Sequence, residues 1–172
     1  MFYYALAHSY LRYGICTWGC ASDNALQPLI TIINRAVRIM TFAPFGNIDV
    51  QSIFKYLGVP NVAQTLKIET GKFFYKKQNN LLPNANIANF LSIRNANVVH
   101  NYNLRNRKDK LQTIAFESSH GKKSIQHRGA ALWNKMPSEI SDSTSLSIFK
   151  RRYKDYLLDD NISDDDDIYI YF

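Results

Sequence analysis

A mainly α-helical protein is the fold class that this sequence predicts, and three observations support it. Apolar residues recur at helical spacing, most clearly at Leu26, Ile33 and Val37. Residues that typically begin or end helices flank the periodic segments, such as Asp49 before one of them and Gly58 after it. The chain also has 172 residues, 46% of them hydrophobic, which is enough to build a core for one domain or two small ones.

The first two helices are predicted from apolar spacing. Residues 2–13 look helical but are aromatic all round, so we expect them to be packed on several sides. Asp23 is expected to cap a helix that ends near Met40, with Pro28 in the first turn, where a missing N–H costs little. Arg35 and Arg38 lie off the apolar stripe of this helix, whose members are Leu26, Leu29, Ile30, Ile33, Val37 and Met40.

Two capped helices are predicted to follow. Asp49 begins a short helix that Gly58 and Pro60 end. Asn61 caps the next one, and Pro83 separates it from a weak helix that ends near Leu91. The inward residues are Ile53, Phe54 and Leu57 in the first of these helices and Val62, Leu66, Phe73 and Phe74 in the second. The lysines of the second helix are expected to point mostly outward; they are Lys67, Lys72, Lys76 and Lys77.

Helical periodicity fades from Ser92 to about Ser124, where a long loop is predicted, with or without a short strand. Residues 129–135 form a turn of helix, and Thr144 or Ser145 caps a final helix that runs to Leu158. The apolar face of the final helix is formed by Leu146, Phe149, Tyr153, Tyr156 and Leu157. We therefore predict a helical unit over residues 1–92, a basic, loop-rich unit with a terminal helix over 93–158, and an acidic, disordered tail over 159–172.

The charge distribution indicates a polyanionic partner. The chain carries a net charge of +7, but six of its fourteen acids lie in the tail, so residues 1–158 carry +13. Between Arg94 and Lys154, thirteen bases face four acids. Nucleic acid is the commonest partner of such a sequence. A solvated basic surface is the alternative.

Several classes of protein are not indicated. No run of about 18 apolar residues is present, so we expect no membrane-spanning helix. The first residues lack the basic start and small-residue cleavage site of a signal peptide, and an intracellular location is expected. Cys16 and Cys20 form no disulfide framework, and no histidine stands at zinc-ligand spacing from them. We therefore expect no metal, no cofactor and, because no nucleophile or acid–base pair is evident, no enzymatic activity.

A series of short motifs then appears in a fixed order along residues 2–158. They are Tyr13-Gly-Ile-Cys-Thr-Trp-Gly19, Asn34-Arg-Ala-Val-Arg-Ile39, Leu57-Gly-Val-Pro60, Leu66-Lys-Ile-Glu69, Phe73-Phe-Tyr-Lys76, Leu82-Pro83, His100-Asn-Tyr-Asn-Leu-Arg105, Ser124-Ile-Gln-His-Arg-Gly-Ala-Ala-Leu-Trp-Asn-Lys-Met-Pro137, Ser145-Leu-Ser-Ile-Phe-Lys150 and Tyr156-Leu-Leu158. In this order the chain resembles the region that follows the palm in reverse transcriptases of non-LTR (LINE-type) retrotransposons.

The resemblance implies a thumb-like helical unit and a C-terminal extension without the catalytic palm. In this family the palm presents the aspartates that bind two metal ions. Tyr156-Leu-Leu-Asp-Asp160 approaches that pattern, but its spacing is one residue too long and it stands at a helix end. The implied function is binding of RNA or DNA in support of reverse transcription, with no catalysis by the fragment itself. The missing palm is the implied protein partner.

The predicted nucleic-acid contacts combine charge with one aromatic side chain, which phosphate contacts and base stacking require. They are Tyr102, Arg105, Arg107, Lys108 and Lys110 in the loop, Lys122, Lys123 and Arg128 near the tryptophan motif, and Lys150 and Arg151 on the final helix. For Arg105 and Arg128 the alternative is a structural role, paired with backbone carbonyls or with Glu117 and Glu139. Trp18 and Trp133 are assigned to the core, with base stacking as the alternative.

Two other functions remain open from the sequence. The chain is alternatively a degenerate transposon fragment that folds poorly and does nothing. It is otherwise a helical protein-interaction module that uses the apolar surface of Phe2, Tyr3, Leu6 and Tyr10. The sequence does not distinguish a preference for RNA from one for DNA.

Overall fold

A computed structural model describes residues 4–42, 49–83, 110–113 and 115–159 of the chain. Of these residues 73% are helical and none belongs to a strand, which confirms the mainly α-helical prediction. The predicted boundary between residues 92 and 93, the weak helix ending near Leu91 and the tail from residue 160 onward lie outside the described residues.

The first element is a π-helical turn, Tyr4–His8. The α-helices of the described residues are α1 (Ser9–Arg12), α2 (Ile15–Trp18), α3 (Asp23–Thr41), α4 (Val50–Leu57), α5 (Val62–Gln78), α6 (Ser119–Lys123), α7 (Ile125–Lys135), α8 (Ser138–Ser141) and α9 (Leu146–Leu158).

The chain divides into two compact units. Unit 1 combines Met1–Glu69 with Tyr153–Phe172, and unit 2 is Thr70–Arg152. Both boundaries fall inside helices, because α5 runs through residue 69 and α9 runs through residue 153. Unit 2 is therefore an insertion into unit 1 in the order of the sequence.

The core of unit 1 is built where α3 and α4 pack together. Its members are Leu11, Ile33, Val37, Ile53, Phe54, Val59 and Val62, all buried. Removing such a side chain from water contributes about 1.5–3 kcal/mol. The Tyr13–Gly19 motif forms a corner beside this core, since Gly14 adopts φ 63° and the indole Nε1 of Trp18 donates to the carbonyl of Tyr13 at 2.8 Å.

Four predictions about the first half of the chain are wrong in detail. Ser22, not Asp23, precedes the first turn of α3, and Asp23 is its first helical residue, where its charge favours the helix dipole. Pro28 is the sixth residue of α3, beyond the first turn, and Met40 is 38% exposed. Of residues 2–13, expected to be packed on several sides, the structure describes residues 4–13, in which Tyr10 is 78% exposed and Tyr13 is 86% exposed.

The predicted caps of the next two helices are confirmed. The side chain of Asp49 accepts a hydrogen bond from the Ser52 amide, and Gly58 ends α4 in the left-handed conformation with φ 60°. Asn61 and Gln64 form a reciprocal capping box, in which each side-chain oxygen accepts the other's backbone N–H at 2.8 and 3.0 Å. Leu57, predicted to face inward, is instead 37% exposed.

The core of unit 2 is a stack of aromatic rings. The ring of Phe149 lies 4.6 Å from that of Tyr75 and 6.2 Å from that of Trp133, centroid to centroid. The hydroxyl of Tyr75 donates to the carbonyl of Ser143 at 2.5 Å. Trp133 is 7% exposed, which confirms that it belongs to the core.

Residues 119–128 differ from the predicted loop. They contain α6 and the first turn of α7, which begins at Ile125 rather than at Gly129. Serine side chains begin both helices: Ser118 accepts from the Gly121 amide and Ser124 from the His127 amide. Apart from Ile125 and Gly121, the residues from Ser119 to Arg128 are polar, so apolar periodicity does not reveal these turns.

Candidate nucleic-acid interface

The positive charge of the chain is concentrated in unit 2. Within Thr70–Arg152 the sequence has fifteen Lys and Arg against four acids, a net charge of +11. Unit 1 has six bases against ten acids, a net charge of −4, and five of those acids belong to residues 160–172, outside the described residues. A polyanion is therefore attracted mainly to unit 2.

The N-terminal half of α9 presents the clearest basic surface. Lys150, Arg151 and Arg152 are exposed, whereas Phe149 immediately before them is completely buried in the aromatic stack. One Nη atom of Arg152 donates to the carbonyl of Glu139 at 2.9 Å, which ties that guanidinium to α8. Lys150 and Arg151 are thus held by a rigid helix with their charges in solvent, as phosphate contacts require.

Lys122 and Lys123 lie on the short helix α6. Lys122 is exposed and Lys123 is half-buried. Phe116 packs closely against this helix at Gly121, because a Cβ atom added at Gly121 would lie 2.6 Å from the Phe116 ring. The same ring meets the His127 ring edge-on at a centroid distance of 6.1 Å. The two lysines therefore have a defined place at the start of α7.

Lys110 lies near the C-terminal end of α7, where Asn134 holds the neighbouring backbone. Its neighbour Leu111 is buried, and the Asn134 side chain pairs with the Leu111 backbone in both directions, with N–H···O distances of 2.8 Å. Lys110 itself is exposed. Asn134 stands ten residues after Ser124, so Lys110 and the α6 lysines are separated by about 15 Å along the helix axis. The structure places them at opposite ends of α7 and does not bring them into one cluster.

Arg128 is the one predicted contact residue among those described that is buried. It is only 7% exposed and stands next to Gly129 on the inner side of α7. A guanidinium at this depth has little surface to offer a phosphate. The structural alternative that the sequence left open for Arg128 fits this position better.

Tyr102, Arg105, Arg107 and Lys108 lie outside the described residues. The sequence analysis does not include Lys135, an exposed basic residue of unit 2 at the end of α7. Its position two residues after the buried Trp133 is the sequence feature that could have indicated its exposure. The lysines of α5 contribute less to the surface than expected, because Lys72, Lys76 and Lys77 are half-buried and burial lowers the pKa of Lys77.

Neither a metal centre nor a membrane span emerges from the described ranges. They contain no cluster of three or more histidine, cysteine or acidic side chains that could hold a metal ion. Cys16 and Cys20 form no disulfide, and the Cys20 thiol donates to the carbonyl of Thr17 at 2.7 Å. No helix within 4–42, 49–83 or 115–159 combines the length and the apolarity needed to cross a bilayer.

Comparisons with models of protein families, with curated proteins and with solved structures found no match to this chain.

Proposed function

We propose that the chain is the nucleic-acid-binding C-terminal part of a retrotransposon RNA-directed DNA polymerase and is not catalytic by itself. The ordered motifs along residues 2–158 support the family origin. The single observation that supports binding is the net charge of +11 on unit 2, with Lys150, Arg151 and Lys122 exposed around a buried aromatic core. The catalytic palm of the parent polymerase is the protein partner that this origin implies. The same origin implies that the chain acts inside the cell.

Binding in this proposal rests on phosphate contacts. The exposed groups are Lys and Arg side chains, which bind the sugar–phosphate backbone with little regard to base sequence. The described part of unit 2 shows no exposed aromatic side chain beside Lys150 and Arg151, so base stacking depends on Tyr102. RNA and DNA of equal length are therefore expected to bind with similar affinity through α9.

A matched pair of charge reversals tests the proposal. Fluorescein-labelled 25-nucleotide RNA, single-stranded DNA and an RNA–DNA hybrid are titrated with the full chain at 50 mM salt, with anisotropy as the readout. Lys150→Glu is expected to weaken all three affinities about tenfold, since it removes one phosphate contact and adds repulsion. Lys55→Glu makes the same change on an exposed helical lysine of unit 1 and is expected to leave affinity within twofold.

Two results contradict the proposed nucleic-acid binding. One is the absence of binding by the unmodified chain at low salt. The other is an equal loss from Lys150→Glu and Lys55→Glu, since this would mean that total charge and not unit 2 governs affinity. A primer-extension assay with the same hybrid is expected to show no nucleotide incorporation, and incorporation would overturn the non-catalytic assignment.

A further inference from the structure

The C-terminal half of α3 exposes several apolar side chains to solvent, although this helix already has an apolar side in the core. Ile32, Arg35, Ile39 and Phe42 follow one another at intervals of three, four and three residues and so form a line along the helix. Ile33 and Val37 lie on the opposite side, buried in the unit 1 core. We call the outer line the α3 stripe.

The α3 stripe is large enough to bind a partner. Ile32 is 60% exposed, Ile39 68% and Phe42 94%. The stripe runs about 15 Å along the helix and exposes on the order of 400 Å² of apolar surface, comparable to the largest patch on a typical monomer. Nine of the ten large hydrophobic residues found exposed among the described ranges belong to unit 1. The stripe is therefore one part of a general excess of exposed apolar side chains in unit 1.

Phe42 has a conformation that packing within the described residues does not explain. It follows the last turn of α3 with φ 52°, in the left-handed region where glycine is favoured at helix ends. A phenylalanine there costs about 1 kcal/mol relative to glycine. Because its ring is 94% exposed, it recovers none of this cost by burial in the described structure. Contact with a partner accounts for a bulky residue at this position.

We propose that the α3 stripe docks an amphipathic helix of another protein, one that carries a carboxylate in the middle of its apolar face. Arg35 is exposed and stands between Ile32 and Ile39, at the centre of the stripe. A helix packed along α3 places its own central residue beside this guanidinium. A carboxylate there completes a charge pair as water is excluded, whereas a lysine is repelled.

A second copy of this chain fits the α3 stripe less well. Two copies related by a twofold axis through the stripe would oppose Arg35 to its own equivalent, so two positive charges would be desolvated together. This argument favours a different, acidic partner. This inference is independent of nucleic-acid binding, because the stripe belongs to unit 1.

The test uses the full chain and two labelled 18-residue helical peptides. Both peptides carry leucine at helical positions i, i+3, i+7 and i+10, and they differ only in a central Glu or Lys. The Glu peptide is expected to bind at least tenfold more tightly than the Lys peptide, and Arg35→Glu is expected to reverse that order. Ile39→Ser is expected to weaken the Glu peptide about tenfold, whereas Tyr13→Ser, at an exposed tyrosine outside the stripe, leaves it unchanged.

Four outcomes overturn the proposal. The first is equal binding of the two peptides, and the second is an equal loss from Ile39→Ser and Tyr13→Ser. The third is self-association in sedimentation equilibrium that Ile39→Ser abolishes, which assigns the stripe to a second copy. The fourth is a tenfold gain in Glu-peptide affinity when Asp164 to Asp167 are all changed to Asn in the full chain, which assigns it to the chain's own acidic tail. Thermal unfolding by circular dichroism confirms that each variant is folded.

Discussion

Gly129 sets the spacing between α7 and α5 in unit 2. A Cβ atom added there would overlap the ring of Phe74, which is itself fully buried. Gly129→Ala therefore has to displace a packed aromatic side chain and is expected to lower the free energy of unfolding by about 1–3 kcal/mol. Urea denaturation followed by circular dichroism measures the loss.

A double-mutant cycle separates this steric effect from a backbone effect. Phe74→Leu shortens the side chain that meets the added Cβ atom, so the loss from Gly129→Ala is expected to shrink in that background. Gly58→Ala serves as the control, because φ is 60° and nothing lies within 4 Å of the added atom. Its cost of about 1 kcal/mol is expected to be the same in both backgrounds. An unchanged Gly129→Ala loss would refute the steric explanation.

Phe42 offers a change that should increase stability. Phe42→Gly removes the left-handed conformational cost and exposes no core, so the free energy of unfolding is expected to rise by about 1 kcal/mol. Ile39→Ser, on the same stripe but inside regular helix, is expected to change it by less than about 0.5 kcal/mol. Thermal denaturation of both variants tests this, and a destabilised Phe42→Gly variant would mean that the ring is packed.

Tyr153 makes stability depend on alkaline pH. Burial, and secondarily the neighbouring Tyr156, raise the pKa of its phenol well above the usual value. A raised pKa in the folded chain means that the unfolded chain ionises first, so stability is complete below about pH 10 and falls as the pH rises further. Tyr153→Phe is expected to flatten this fall between pH 10 and pH 11. Parallel stability curves for the two proteins would contradict it.

At the scale of elements, one buried hydrogen bond joins α5 to the segment that precedes α9. The hydroxyl of Tyr75 reaches the Ser143 carbonyl, and both residues are buried. Tyr75→Phe leaves that carbonyl without its donor and is expected to cost about 1–3 kcal/mol of unfolding free energy. Tyr56→Phe, at a tyrosine that is 86% exposed, is expected to change stability by less than about 0.5 kcal/mol. Equal effects would mean that the Ser143 carbonyl is satisfied by water.

The predictability of each element depended on how local its determinants are. The caps of α4 and α5 were readable because Asp49, Asn61 and Gly58 act within four residues of their own positions. The helical turns around residues 119–128 were missed because serine caps and packing on Phe116 replace apolar spacing there. Pro28 was misplaced because long helices tolerate proline on an exposed face when packing on the other face is strong.

In the candidate interface, too, local features could be predicted from the sequence and long-range contacts could not. Lys150 and Arg151 could be placed in solvent from the sequence, because they lie opposite Phe149 on a strongly patterned helix. The burial of Arg128 could not, since this part of α7 packs against residues that are distant in the sequence: the adjacent Gly129 lies against Phe74. The hydrogen bonds between the Asn134 side chain and the Leu111 backbone could not be predicted either, because the two residues are also distant in the sequence.

At the scale of the molecule, the positive charge of unit 2 predicts a specific response to salt. Log affinity for a single-stranded nucleic acid should fall linearly with log salt concentration, by about 0.7 for each phosphate contact. Replacing Lys150 and Arg151 together by alanine is expected to reduce the magnitude of that slope by about 1.4. Anisotropy titrations between 50 and 300 mM salt measure it, and an unchanged slope would remove α9 from the interface.

The division of the chain also fixes the order in which its parts are completed during translation. Unit 1 needs Tyr153–Leu158, where the Leu157 carbonyl accepts a hydrogen bond from the Gln64 side chain at 2.9 Å. All of unit 2 is synthesised before that segment. The basic unit can therefore finish folding while the apolar unit, the first to be translated, still lacks its last helical turns on the ribosome. Nascent unit 1 is thus the part of this protein that most needs protection from aggregation.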